Sequence, residues 1–395
     1  MTDLRSLRAG VVGTGFIGVV HVEALRRLGV EVLGVVGSSP ERAREKARTA
    51  VLPEPYPSFE ALLADERVDV VHITSPNHLH HAQVRAALEA GKHVVCEKPL
   101  ALTSAETADL LAVAEERGLV HAVNFNIRFY AQCREARERV GAGELGDVRL
   151  VTGSYLQDWL LHETDWNWRL DPEQGGALRA VGDIGTHWID LVQYMTGLRV
   201  EAVLADLVTA IPVRRVPVGP VETFAGKAGE AAGATVDREM RTEDLAAIVL
   251  RLEGGARAVA SVSQVSAGRK NACSLEIDGA RSALAWTSER PEELWLGHRD
   301  RPNELLLRDP SLMTPGAAQT SVLPGGHAEG FADTFRELYR AVYDAVADGG
   351  PPAAPTYPTF ADGHDEALIC EAIERSAREE RWVAIDRTDP QEVSL

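Results

Sequence analysis

A lysine, an aspartate and a histidine carry the chemical interest of this sequence. Lys98 sits in Glu97-Lys98-Pro99, directly after the apolar run His93 to Cys96. Asp183 and His187 stand four apart in Asp183-Ile184-Gly185-Thr186-His187-Trp188-Ile189-Asp190, behind Gly175-Gly176-Ala177-Leu178. On a helix that spacing puts both side chains on one face. A lysine, a histidine and a carboxylate converging on a cofactor can move a proton while a hydride leaves carbon. Upstream, Gly13-Thr14-Gly15-Phe16-Ile17-Gly18 follows an apolar strand and opens a helix. Gly13 and Gly15 permit a tight turn and close backbone approach, and the helix N-terminus suits a pyrophosphate. Gly13, Gly15, Phe16, Ile17 and Gly18 are therefore assigned to a dinucleotide.

The ribose selector falls at Gly37-Ser38-Ser39, where NAD-binding versions often carry an acid. No carboxylate stands there, and Arg42 lies one turn on. Gly37, Ser38 and Arg42 thus admit NADP without requiring it, and the choice between NAD and NADP stays open. Thr74, Ser75, Pro76 and Asn77 end the third strand, where they are expected to line the nicotinamide ribose. His80 is expected to cap or pack against that loop, with Glu97 and Lys98 at the next strand end. His78 and His81 have helical spacing but no acidic or thiol partner nearby, so no metal site is expected. Burial and a neighbouring cation can tune a lysine placed as Lys98 is, and Pro99 suits a cis bond.

These groups need elements to hold them. Strands Val11-Val12, Val30 to Val36, Val68 to Ile73, His93 to Cys96 and Leu119 to Asn124 alternate with helices, which predicts a parallel sheet covered on both faces. After about residue 130 strands follow one another without helices, save Thr186 to Met195. That pattern favours a large open, mostly antiparallel sheet, an α+β arrangement beside the α/β first part. The expected division is a dinucleotide-binding domain over 1–128, a substrate and oligomerisation domain over 129–360, and a C-terminal helix and tail over 361–395 packing back toward the first. The stretch Val213 to Asp237, rich in Gly, Ala and Pro, reads as a weakly specified excursion.

The chain has 395 residues, 45% hydrophobic and 25% charged, with a formal net charge of −18. That suits two or three globular domains and argues against a nucleic-acid or acidic-membrane partner. The four scattered cysteines, the lack of a signal-like start and of a long apolar run predict a cytoplasmic protein with reduced thiols.

The glycine loop, Pro76-Asn77-x-x-His80, Glu97-Lys98-Pro99, and Gly-Gly-x-Leu ending in Asp183-x-Gly185-x-His187-x-x-Asp190 resemble the glucose–fructose oxidoreductase / myo-inositol dehydrogenase (Gfo/Idh/MocA) family over nearly the whole chain. The resemblance implies NAD(P)-dependent chemistry on sugars, polyols and related compounds. It also implies catalytic positions for Lys98, Asp183 and His187, and a homodimer or homotetramer through the C-terminal sheet. One departure is about two extra residues between Gly176 and Asp183. Arg179 lies in that length, where a substrate contact and a salt-bridged surface role compete.

Tyr155, Trp159, Trp166 and Trp168 cluster with Asp158, His162, Asp165 and Arg169. Aromatic faces suit sugar C–H faces, and polar groups bond hydroxyls; tryptophans packing the domain junction are the competing reading. Asn126 and Arg128 are further candidates in the turn between domains. The substrate set is Asn126, Arg128, Tyr155, Trp159, Asp165, Trp166, Arg169, Arg179, Asp183 and His187. No basic cluster suggests a phosphorylated substrate, so a neutral sugar, glycoside, anhydrosugar or cyclitol is favoured. His187, oriented by Asp183, takes the hydroxyl proton while Lys98 stabilises the developing alkoxide; which of the two is the formal base stays open. The rivals are an NAD-dependent glycosidase of the same fold and a regulator that has lost chemistry.

Overall fold

The computed structural model describes residues 4–218 and 234–387, in two compact units: Met1–Phe129 with Gly330–Ala367, and Tyr130–Glu329 with Leu368–Leu395. The first begins with β1 (Arg8–Val12), α1 (Phe16–Leu28), β2 (Glu31–Val36), α2 (Pro40–Thr49), α3 (Phe59–Ala64), β3 (Val70–Ile73), α4 (His80–Glu89), β4 (His93–Cys96), α5 (Ser104–Glu116) and β5 (His121–Val123). The strands form one parallel sheet in the order β2-β1-β3-β4-β5. β1 and β3 are almost wholly buried, as parallel strands covered on both faces must be. Strand order reverses between β1 and β3, so their carboxyl ends part and leave a crevice for a ligand. Gly13, Thr74 and Lys98 all follow strands at that edge.

The second unit comprises α6 (Ala131–Gly141), β6 (Val148–Leu156), α7 (Pro172–Gly175), a π-helical turn (Val181–Gly185), α8 (Thr186–Thr196), β7 (Val200–Val208), β8 (Val213–Pro217), β9 (Thr235–Glu239), β10 (Leu245–Leu252), β11 (Arg257–Ser263), β12 (Ala272–Gly279), β13 (Ala283–Thr287), β14 (Glu293–Gly297), β15 (Glu304–Leu307) and α9 (Pro315–Ala318). After it come α10 (Phe331–Ala347), α11 (Phe360–Glu379) and β16 (Val383–Ala384). The nine-stranded sheet runs β15-β14-β13-β12-β6-β11-β10-β7-β16 and is antiparallel except where β6 meets β11. Alternation along the strands buries Val151, Ile248, Leu250, Ala258, Leu275, Ile277 and Leu284 on one face, where α6 and α8 pack. Trp188 of α8 donates its Nε1 to Ser274 O at 2.9 Å, and Gly153 is bare there because a Cβ would collide with that ring. This contact seats the helix that carries His187.

Several elements depart from the sequence reading. α6 is a helix the strand-rich texture hides: its buried face holds only small or polar residues, Ala131, Gln132, Cys133, Glu135 and Ala136. β8 and β9 pair as an antiparallel ribbon flanking the supposed excursion; residues 219–233 of it, and 388–395 of the expected tail, lie outside the described residues. Gly330–Ala367 groups with the first unit rather than with 129–329. The reason is apolar packing, since Phe335, Leu338, Tyr339, Val342 and Tyr343 of α10 share a core with Val11, Val22 and Leu25. α11 divides, its first residues grouping with the first unit and Leu368 onward with the second, where β16 adds to β7.

His121 Nδ1 accepts the Phe360 N–H at 3.1 Å, tying β5 to the start of α11. Burial pushes its imidazole down to about 4, and burial also lowers His72 and His80. An unfolded histidine binds its proton near pH 6.5, about where these buried rings still resist it. The contribution of His121 is therefore complete above that pH and is lost as pH falls toward about 4. The thermal midpoint should fall between pH 7 and pH 5, and His121→Gln, which keeps an acceptor without titrating, should narrow that fall. An equal decline in the variant, read by scanning calorimetry, would exclude His121 as a source.

Candidate active site

The first unit carries a backbone cradle. Gly13 has φ of +112°, a left-handed conformation, and a side chain there would strike Thr74. Thr74 donates its hydroxyl to Val12 O at 2.7 Å, and its N–H reaches the same oxygen at 2.7 Å, locking the loop to the end of β3. A Cβ on Gly18 would meet Gly13 O, whereas one on Gly15 would project into open space. Gly15 precedes α1 and gives its first turn no side-chain cap. The loop is thus pressed against the sheet at Gly13 and Gly18 and open at Gly15, with amide donors of α1 available to an anion. These residues fit a dinucleotide pyrophosphate.

At the end of β2, Ser38 and Arg42 are exposed while Ser39 Oγ accepts the Arg42 N–H at 3.3 Å as cap of α2. Gly37 faces Ala43, whose Cβ would lie 2.8 Å from an added Cβ. Along the crevice, His80 Nε2 bonds Ser75 O at 2.9 Å and Nδ1 bonds Pro99 O at 2.7 Å. The ring therefore splices the loop after β3 to the loop after β4, as expected of a loop-packing residue. Ser75 Oγ donates to Gln83 at 2.6 Å. His81 pairs with Asp109 at 2.8 Å, a local ion-pair role. The Lys98–Pro99 bond is cis.

Glu97 is buried. Burial would raise its carboxyl, but His21, Lys98 and Asn124 hold it below the usual carboxylate range. Its oxygens accept from His21 Nε2 at 3.1 Å, from Asn124 Nδ2, and from the Lys98 N–H at 3.2 Å.

A second group of candidate residues belongs to the other unit. Asp183 lies in the π-helical turn and His187 in the first turn of α8. A π-turn is an α-helix widened by an extra residue. Asp183 Oδ1 accepts Arg169 Nε at 3.1 Å and Oδ2 accepts Gln264 Nε2 at 2.7 Å. The Arg169 guanidinium lies 4.3 Å over the Trp168 ring. His187 is 8% exposed, and its ring centroid is 6.3 Å from that of Tyr155. Tyr155 donates to Asn271 at 2.9 Å, Asn271 also accepts from Gln157 at 2.8 Å, and Trp159 Nε1 donates to Gln157 Oε1 at 2.8 Å. Tyr155 and Trp159 thus form one hydrogen-bonded group on the side of His187, with Arg169 on that of Asp183. Trp166 stacks under Arg238 at 5.1 Å, and Asp165 accepts the His162 N–H at 2.8 Å within its own loop.

Four sequence candidates are spent on structure. Arg179 is buried, its guanidinium on Asp244 and its N–H on Glu243 at 2.9 Å, so the surface and substrate readings both give way to a buried ion pair. Asn126 donates to Thr334 at 2.7 Å and Arg128 pairs with Asp362 at 2.7 Å, fastening α10 and α11 within the first unit. Asp158 is buried on Lys270 at 2.6 Å. Sequence reasoning missed Gln264, one residue past β11, and Arg214. The latter donates to Leu160 O, His162 O, Asp165 O and Asp244, stringing the aromatic loop onto a buried acid. Only the paired acids Glu243-Asp244 ahead of an apolar strand hinted at this.

The comparisons bear directly on this geometry. Residues 7–125 match the model of the oxidoreductase family with an NAD-binding Rossmann fold, and residues 133–285 match the GFO/IDH/MocA C-terminal domain. The chain belongs to the Gfo/Idh/MocA oxidoreductases. A levoglucosan dehydrogenase of Pseudarthrobacter phenanthrenivorans is 31% identical over 97% of this chain and 99% of that protein. Among solved structures, levoglucosan dehydrogenase in complex with NADH and L-sorbose has a TM-score of 0.85 at 29% identity, covering 97% of this chain and 99% of that one. An inositol dehydrogenase homolog of Azotobacter vinelandii, in complex with NADH and myo-inositol, has a TM-score of 0.82 at 27% identity, covering 96% and 97%. This member of the family is an NAD(P)-dependent oxidoreductase. No helix among the described residues is long and apolar enough to cross a membrane.

Ser38 is the position open to a charge, because Ala43 crowds Gly37. Ser38→Asp should reduce kcat/KM for NADP relative to NAD on the order of tenfold or more, a carboxylate repelling a 2′-phosphate. An unchanged ratio would place the ribose reader elsewhere; Gly37→Asp should instead cost thermal stability.

Proposed function

We propose that this enzyme oxidises, reversibly, a secondary ring hydroxyl of a neutral sugar, anhydrosugar or cyclitol. The observation that carries the reading is the full-length match to a dehydrogenase named for an anhydrosugar, joined by a structural neighbour holding myo-inositol. A bound nicotinamide would supply the hydride acceptor, held by Gly13 to Gly18, Ser38, Arg42 and Thr74 to Asn77. Lys98 hydrogen-bonds the reacting oxygen and stabilises charge as it develops. His187 takes the hydroxyl proton as general base. Asp183 is stretched between Arg169 and Gln264, so its carboxylate is fixed and cannot swing away from the helix that carries His187. Trp159, Trp166 and Arg169 are half-buried and offer ring faces and donors to the substrate. The dehydrogenase names of these relatives, with all three reactive groups present, favour this reading over a hydrolase or a silent regulator.

Incubation with a panel of sugars, anhydrosugars and cyclitols should generate absorbance at 340 nm with NAD or NADP. Lys98→Ala should lower kcat by roughly 10²–10⁴ with cofactor affinity little changed; near wild-type turnover would remove Lys98 from the chemistry.

We also propose a homodimer or homotetramer built on the open face of the nine-stranded sheet. Strand register lines Leu204, Val249, Val259, Thr152, Glu276, Ala285, Trp295 and Leu305 across that face, and Val259 and Leu305 are exposed. Val259→Asp should shift the molar mass measured by light scattering to a smaller species; an unaltered oligomer would put the interface elsewhere.

A further inference from the structure

Behind Lys98 the first unit buries a row of titratable side chains that the hydride chemistry does not use. From Glu97 the row runs to His21 of α1 at 3.1 Å, then from His21 Nδ1 to His72 Nδ1 of β3 at 2.9 Å, and from His72 Nε2 to the Tyr343 hydroxyl of α10 at 3.0 Å. His21, His72 and Tyr343 are fully buried. The two imidazoles meet edge to face, with centroids 5.2 Å apart, and Tyr339 packs 5.0 Å from His21.

Two facing Nδ1 atoms can share only one proton, so the row must have a direction. Glu97 sets it. Its oxygens already accept from Asn124 Nδ2 and Lys98 N–H, donors that cannot reverse, so the carboxylate accepts from His21 Nε2–H as well. His21 Nδ1 is then left to accept from His72 Nδ1–H, and His72 Nε2 to accept from the Tyr343 O–H. Burial pushes the His72 imidazole far down and the Tyr343 phenol far up, so these two groups remain neutral. The other groups around Glu97 are Lys98 and Cys96 on its own strand end, His80 from α4 and Tyr339 from α10.

We propose that Tyr343, His72 and His21 form a one-way hydrogen-bond chain ending on Glu97, and that the three are positioning residues that hold this carboxylate as the counter-charge and backbone anchor of Lys98. The proposal rests on Lys98 being catalytic. A chain of donors all aimed at one anion polarises each link in turn and delivers its field at the acceptor. Glu97 in turn fixes the Lys98 backbone through the 3.2 Å bond.

Histidine-selective ¹⁵N NMR of the apo enzyme at pH 7 reads the direction without any turnover. His21 should carry its proton on Nε2 and His72 on Nδ1; the opposite tautomers, or an imidazolium at either residue, would overturn the chain. In kinetics, His21→Leu should lower kcat on the order of tenfold to a hundredfold with substrate KM within about threefold, as for a lost hydrogen bond to a charge. His21→Gln keeps a donor for Glu97 and an acceptor for His72 and should recover most of that loss. Tyr343→Phe, which removes only the far link, should lower kcat by about threefold. Should His21→Leu fail to fold, the tautomers and the Gln and Phe variants still decide the matter. Undiminished turnover in Lys98→Ala would remove the premise, whereas an inactive Lys98→Ala beside a wild-type His21→Leu and Tyr343→Phe with reversed tautomers would remove the chain alone.

Discussion

A carboxylate taken out of water must find donors or surrender its charge, and leaving one buried without them costs several kcal/mol. Both units are built around that demand. In the first, Glu97 collects His21, Asn124 and the Lys98 N–H. Those donors arrive from α1, from the residue after β5 and from the strand end itself, so the crevice edge is cross-linked at its floor. In the second, Asp244 gathers Arg179 and Arg214, while Glu243 accepts the N–H groups of Arg179 and Val181. Burial raises the Glu243 carboxyl and these two amides pull it back.

The consequence in the second unit is mechanical. Arg214 holds the carbonyls of Leu160, His162 and Asp165, so the aromatic loop and the segment leading to Asp183 share one buried acid. Because the charges compensate one another, the cluster is stable only when all members are seated. The aromatic loop is thereby given a defined resting shape. Arg169 then reaches from the end of that loop to Asp183.

Much of this was legible in the residues, and the limits were physical. Continuous apolar runs such as Val70 to Ile73 announced a buried parallel strand, and the glycine loop announced its own tight turn. The expectation for Lys98, Asp183 and His187 came from spacing and flanking residues that imply chemistry. Arg179 could not be placed, since an arginine that pairs with a distant Asp244 looks the same in sequence as one facing solvent. The partners of Asn126 and Arg128 were hidden for the same reason: Thr334 and Asp362 are more than two hundred residues away. Burial of α6 through small and polar residues, and the return of α10 to the first unit, depend on long-range packing that local periodicity does not encode.

The π-helical turn before α8 has a historical meaning as well as a geometric one. A helix that can take up an extra residue in one wide turn separates the length of the preceding loop from the spacing of Asp183 and His187. Insertions and deletions around the aromatic loop can then accumulate without disturbing the four-residue pair downstream. The spacing of Asp183 and His187 can therefore be kept while the loop ahead of it is lengthened, shortened and redrawn.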